Sequence, residues 1–239
     1  MRHIILMFAF FLALPAVSHA QQKSAVKPGF GFPSDRAFRI VVFRPDVKVG
    51  DQSAGGVVTP NAEATRNARD YLGKALTSAK IGGTADVVFM PEVDGESAVT
   101  LSDYRALFNG LSETVLQSRL FKGNRLPTKK TGFEYTLGPD VSKLTASVGG
   151  DYGLFIRTDD AYGSAGRKAL QILSLFTPIS VSSGRHGGFA GLVDLKTGDL
   201  LWFNADYQMG GDVRDADGAV KRVSQLLEGL PQTGAGSKK

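Results

Sequence analysis

Residues 187–204 read GGFAGLVDLKTGDLLWFN and contain the only tryptophan of the chain, Trp202. Two apolar runs flank the tetrapeptide at residues 196–199, in which Gly198 supplies a residue that tolerates the positive φ of a tight hairpin turn. Because so short a connection cannot cross over a sheet, the two strands must be antiparallel. The stretch therefore predicts a buried β-hairpin.

The rest of the chain alternates between strand-like and helix-like apolar patterns. Short β-branched and aromatic runs predict strands at residues 38–43, 86–91, 133–137 and 151–157. Helical spacing predicts helices from Pro60 behind a Thr59 cap, from a capping box at Thr100, from Asp140, and over residues 164–176 and 213–230. Loops are predicted over residues 46–59 and 182–188. This order indicates an α/β fold, a mixed sheet flanked by helices that ends in the hairpin and a terminal helix.

The first twenty residues have the composition of a secretory signal peptide. A short basic head precedes an almost purely apolar run at residues 4–14, and Ala20 is a small residue suited to cleavage. We therefore expect a periplasmic or secreted protein. The sequence divides into the signal peptide (residues 1–20), a flexible Pro- and Gly-rich lead-in (residues 21–34), one α/β domain (residues 35–230) and a disordered polar tail (residues 231–239).

The counts of cysteine and histidine limit the kinds of metal and catalytic site that the chain can form. The chain has no cysteine, so neither a disulfide nor a lipid anchor on an amino-terminal cysteine is expected. Two of the three histidines lie in the predicted signal peptide, which leaves His186 in a glycine-rich loop. Zinc sites of the His and Cys types cannot be built from this set, and we expect no cofactor. A serine triad would need His186, for which a solvated loop position is the expectation.

Carboxylates offer a second kind of chemistry. Glu92, Asp94 and Glu96 follow a predicted strand and could supply a pair of acids for glycoside hydrolysis. Residues 212–218 are rich in aspartate, but an EF-hand register would place Val213 and Ser224 where carboxylates are required. We expect those acids to favour the positive end of the last helix instead.

Two features are not explained by an ordinary core. The helix at residues 165–176 is strongly apolar and lies between two strands, so it is either core or an exposed surface for a partner or a membrane. At its entrance lies a polar group, which is either a set of surface ion pairs or a binding site. With Arg185, which stands beside glycines that could bind an anion, the candidate binding residues are Arg157, Asp159, Asp160, Tyr162, Arg167 and Arg185.

Several ordered stretches resemble a group of proteobacterial envelope proteins classed as lipoproteins. The matching segments are residues 41–46, 53–57, 151–155, 162–167, 188–199 and 202–204. The resemblance implies an α/β domain similar to the amino-terminal domain of TolB and to the periplasmic domain of the curli secretion channel CsgG. It implies no catalytic residues. The chain departs from the lipoprotein members because it lacks the cysteine that carries the lipid.

These observations favour an exported, non-enzymatic module that binds other envelope proteins in envelope assembly, or that binds a second copy of itself. Peripheral membrane contact through residues 165–176 is a further expectation. Two alternatives stay open: a hydrolase of peptidoglycan or another envelope glycan that uses Glu92 or the Asp159-Asp160 pair, and a binder of small anions. The net charge of +5 is a mild bias, and basic residues do not cluster with aromatic ones, so no nucleic-acid partner is indicated.

Overall fold

The computed structural model describes residues 23–120, 132–177, 181–182 and 184–233. The predicted signal peptide and residues 234–239 of the predicted tail lie outside these ranges. Within them the strands are β1 (Lys23–Val26), β2 (Arg39–Val42), β3 (Asp46–Gln52), β4 (Val58–Pro60), β5 (Asp86–Phe89), β6 (Tyr152–Gly163), β7 (Gly184–Asp194) and β8 (Leu200–Asp206). The helices are α1 (Ala62–Ser78), α2 (Gly95–Val115), α3 (Ala165–Ser174) and α4 (Ala216–Leu226). A π-helical turn (Leu116–Leu120) extends α2, and a 3₁₀ helix spans Pro139–Thr145.

The strands form one mixed sheet with the order β1-β8-β7-β6-β2-β5. The long strand β6 lies at its centre. It pairs antiparallel with β7 on one side, and on the other it pairs in parallel first with β2 and then with β3. Strand β4 pairs with β3 and completes a hairpin beside the end of β6. The predicted α/β class, with a mixed sheet flanked by helices, is confirmed.

Alternate residues of the strands enter two separate cores. On one face Ile40, Leu154 and Trp202 pack beneath α1 and α4. On the other face Phe43 and Phe155 stack with ring centroids 4.4 Å apart, beneath α2. This period of two means that neighbouring residues of β6 face different environments.

The predicted hairpin forms between β7 and β8. Gly198 has φ +79, and a side chain there would collide with the backbone of Gly138. The backbone N–H of Gly198 donates to Asp194 O at 2.8 Å, which closes the turn. Trp202 and Leu192, which face each other across the two strands, are completely buried.

The predicted lead-in and two predicted loops contain regular structure. Strand β1 lies within the lead-in and pairs antiparallel with β8, because the edge of β8 offers it free backbone groups. Residues 46–59 hold β3 and most of β4, and residues 184–188 begin β7. Glycines suggested loops at these places, whereas β6 is long enough to pair with both β3 and β7 along its whole outer half.

Three helix starts were also wrong. Helix α1 begins after Asn61, whose side chain accepts the N–H of Ala64, while Pro60 lies in β4. Helix α2 begins after Asp94, so Thr100 lies inside it. The segment after Asp140 is a 3₁₀ helix that begins at Pro139. The run at residues 133–137 forms a single β-bridge, from Thr136 to Asp199.

No helix in the part of the chain that the structure describes is both long enough and apolar enough to cross a membrane.

Candidate functional site

The six predicted site residues do not form one site, because the sheet separates them. Asp160 and Tyr162 lie on the face of β6 that α1 and α4 cover. Arg157 and Asp159 face the other side, and Arg185 joins them through its contact with Asp159. Arg167 belongs to α3, beyond the end of β6. Successive side chains of a strand point to opposite faces of the sheet. Residues that are close in sequence can therefore lie on different sides of it.

A buried ion pair connects the central strand to the last helix. Arg222 of α4 donates from Nη1 to Asp160 Oδ2 and from Nη2 to Asp160 Oδ1, both at 2.8 Å. Both side chains have no exposed surface. Arg222 also donates to the carbonyls of Gly210 and Gly211, and the Thr158 hydroxyl donates to Asp160 at 2.7 Å. The arginine is therefore well supplied with acceptors, as a buried guanidinium requires.

His186 completes the carboxylate's set of partners. It lies on β7, opposite Asp160 in the strand register, and its Nδ1 is 2.8 Å from Asp160 Oδ1. An ionised carboxylate only accepts, so Nδ1 is the donor. Burial alone would raise the pKa of Asp160, but hydrogen bonds from His186, Arg222 and Thr158 outweigh it and hold that pKa below its usual value. The expectation of a solvated loop histidine was wrong.

Tyr162 extends this group toward the start of α4. The centre of its ring lies 4.7 Å from that of His186 and 3.6 Å from the guanidinium of Arg214. Its hydroxyl accepts the backbone N–H of Val213. Burial, the Asp160 charge and the hydrogen bond to Asp212 raise the pKa of Tyr162 far above its usual value. The group fastens the segment before α4 to the sheet.

On the opposite face a cleft of about 180 Å³ is lined by three of the predicted residues, Arg157, Asp159 and Arg185. Arg157 lies between two carboxylates, 3.4 Å from Asp46 and 3.5 Å from Asp159. Arg185 approaches the second oxygen of Asp159 at 3.3 Å. Across the cleft, burial together with the carboxylate of Glu113 raises the pKa of Tyr207 to about 12. Positive and negative charges thus alternate around this cleft and pair with one another.

Helix α3 turns its apolar face to solvent and its polar face toward the protein. Ala169, Ile172, Leu173 and Phe176 recur at the helical spacing of three and four residues, and all four are exposed. Ile172 and Leu173 are each 61% exposed and Phe176 is 84% exposed. The polar stripe of Arg167, Gln171 and Ser174 is half-buried instead. Of the two alternatives for this helix, the core is excluded and the exposed surface is observed.

Two contacts fix α3 in this orientation. Arg167 donates from Nε to the carbonyl of Ser182 at 2.8 Å, which holds the polar stripe against the protein. The backbone N–H of Ser164, the residue that caps α3, donates to Gln52 O at 2.9 Å at the end of β3. The neighbouring β3–β4 hairpin exposes Val57 and Val58. An apolar surface therefore projects from one end of the sheet.

Arg222 is the residue of the buried ion pair that sequence reasoning missed. In the terminal helix Val220 is 57% exposed, and the buried stripe holds Ala219, Arg222, Val223 and Leu226. An arginine at helical spacing among these apolar residues was the signal that could have found it. Among the described residues there is no group of three or more His, Cys, Asp or Glu that could bind a metal ion.

Together, the sheet order and the two helical layers define a mixed α/β domain. It contains a buried ion pair between the central strand and the last helix, and one helix whose apolar face is exposed. No family model matches the chain. No curated protein matches it in sequence either.

Three solved structures are similar to the chain at low identity and low TM-score. The PelC dodecamer from Paraburkholderia phytofirmans is 13% identical, with 88% of this chain and 96% of that chain covered and a TM-score of 0.41. A leucine-to-methionine variant of the same dodecamer is 14% identical, with coverage of 89% and 99% and a TM-score of 0.37. Lipoprotein GNA1162 from Neisseria meningitidis is 14% identical, with coverage of 70% and 76% and a TM-score of 0.29. The resemblance to envelope lipoproteins, and the finer likeness to TolB and CsgG domains, stay predictions.

Proposed function

We propose that this protein is an exported, non-enzymatic module that acts by binding within the cell envelope, and that the exposed face of α3 is its contact surface. The observation that carries the proposal is the reversed amphipathicity of α3, which turns Ile172, Leu173 and Phe176 to solvent. A large apolar group that stays in water loses the stabilisation of burial, about 1.5–3 kcal/mol for a side chain of this size. Such a surface is typical of a site that a partner covers.

Export is supported by the amino-terminal sequence. Residues 1–20 have the basic head, apolar centre and small terminal residue of a signal peptide. The expectation that the partners are other envelope proteins stays a prediction.

The geometry of the carboxylates favours binding over glycan hydrolysis. A glycosidase needs two acids in one cleft that flank the scissile bond, about 5–5.5 Å apart in retaining enzymes and about 6.5–9.5 Å apart in inverting ones. Asp159 and Asp160 face opposite sides of the sheet, and each is already in an ion pair. Glu92 pairs with Arg44 at the surface.

The arginines likewise favour internal pairing over capture of a small anion. Arg157 and Arg185 share Asp159, and Arg167 is turned toward Ser182. The three guanidinium groups therefore do not converge on one point.

The proposal is tested by fractionating cells that export the protein. A triple variant, Ile172→Ser, Leu173→Ser and Phe176→Ser, removes the apolar surface of α3. A matched variant, Val99→Ser with Val220→Ser, removes exposed apolar groups from α2 and α4. After gentle lysis we expect the wild type and the matched variant to remain with the envelope and the triple variant to become soluble. Wild-type protein that is fully soluble, or a triple variant that still remains with the envelope, would refute the proposal.

A further inference from the structure

We infer that the partner of α3 is a lipid bilayer surface with anionic headgroups, an inference that rests on the proposed function. The first support is the small area of the apolar face of α3. A ten-residue helix is about 15 Å long, and one face of it is far smaller than the roughly 800 Å² that each partner buries in a standard protein interface. A bilayer needs no such area, since an amphipathic helix binds by placing its apolar face among the acyl chains.

The second support is the charge around α3. The sequence has no Asp or Glu between Asp160 and Asp194, whereas Arg167 and Lys168 of α3 lie in that interval. Lys168 is exposed at the border between the polar stripe and the apolar face. A lysine in this place can bury its methylenes and keep its ammonium group among the headgroups. The charge of this segment therefore complements an anionic surface.

The third support is the position of the apolar residues. Leu175 and Phe176, which are 77% and 84% exposed, follow the last turn of α3. Aromatic and leucine side chains opposite basic residues are the composition of interfacial helices. The exposed Val57 and Val58 of the β3–β4 hairpin lie beside the start of the helix, since Ala54 of that hairpin lies against Gly166. Both elements are at the end of the sheet remote from the β7–β8 turn, so the domain would stand on the membrane through this end.

The test is flotation of the purified exported protein with protein-free vesicles. Vesicles of phosphatidylethanolamine and phosphatidylglycerol supply anionic headgroups, and vesicles of phosphatidylcholine do not. We expect the protein to float with the anionic vesicles and to bind phosphatidylcholine more weakly. The serine triple variant should bind at least about tenfold more weakly, because burial of even one such side chain is worth that factor.

A charge variant tests the electrostatic part. Lys168→Gln should weaken binding to anionic vesicles by about fivefold, and salt should have a similar effect. The control is Lys196→Gln, an exposed lysine in the hairpin turn at the opposite end of the sheet, which should leave binding unchanged.

The outcomes separate this inference from the proposed function. A wild type that stays with the envelope of cells but does not float with vesicles would overturn the inference and leave the proposed function, with a protein as the partner. Self-association that the serine variant abolishes, without vesicle binding, would overturn it in favour of a second copy of the chain. Equal flotation of wild type and serine variant would also overturn it.

Discussion

Asp160 and Arg222 form a two-point ion pair in which neither side chain has any surface exposed to solvent. They lie 62 residues apart in the chain, one on the central strand and the other on the last helix. The Thr158 hydroxyl and the ring of His186 also bind the Asp160 carboxylate, so the ion pair is the centre of a hydrogen-bond network. The pair therefore joins α4 to the sheet at a fixed position.

Removal of one member of the pair should destabilise the fold strongly. Arg222→Met leaves Asp160 buried without its cation, and we expect a loss of about 3–5 kcal/mol in the free energy of unfolding. The double variant, Arg222→Met with Asp160→Asn, removes both charges and should recover much of that loss. Urea unfolding of the two single variants and the double variant measures the coupling. Additive losses would contradict a paired arrangement.

The same carboxylate should make stability depend on pH. The pKa of Asp160 is lower in the folded protein than the value of about 3.9 expected for the unfolded chain. Its contribution is therefore complete above that unfolded pKa and is lost as the pH falls through the folded pKa. We expect Asp160→Asn to reduce the acid dependence of the melting temperature below about pH 4. An Asp217→Asn variant, at an exposed position in the first turn of α4, serves as the control.

The apolar face of α3 should contribute nothing to stability. Because Ile172, Leu173 and Phe176 are already in water, their replacement by serine should change the free energy of unfolding by no more than about 0.5 kcal/mol each. Leu226→Ala, in the buried stripe of α4, should cost about 2–5 kcal/mol. Thermal and chemical unfolding of the purified variants makes the comparison. A large loss for the α3 variants would show that this face is covered within the monomer.

Strand β1 should be part of the folded domain. Lys27 N–H donates to Leu201 O at 2.8 Å, so the antiparallel register turns the N–H of Ala25 toward Phe203. Ala25→Pro removes that donor, and we expect a loss of about 1–3 kcal/mol. The control is Ala25→Ser, which keeps the donor. Slow hydrogen exchange at Ala25 in the wild type would agree with pairing, whereas exchange at the rate of a free peptide would contradict it.

Gly198 should tolerate no side chain. Its φ of +79 costs an L-residue about 1–2 kcal/mol, and a Cβ would come within 2.1 Å of the carbonyl oxygen of Gly138. We expect Gly198→Ala to lower the melting temperature clearly. Gly55→Ala, where the nearest atom to a Cβ would be Ser53 Oγ at 4.0 Å, is the matched control and should be close to neutral.

The sequence by itself determined the α/β class, the hairpin and the buried character of its strands. These follow from local rules: the apolar period of each segment and the backbone freedom of Gly198. The same rules found the helical stretch at α3 and its apolar stripe. They left open what covers that stripe, because a periodic pattern shows that a face is apolar and does not show what packs against it.

Only the tertiary structure decided the pairing of distant segments. Strand β1 lies in a Pro- and Gly-rich stretch, and its conformation depends on the free edge of β8. Asp159 and Asp160 are neighbours in sequence, but the sheet turns them to opposite faces and gives only Asp160 a buried cation, Arg222. A buried charge is stable only where its partner is also placed, and that placement arises from contacts between residues far apart in the chain.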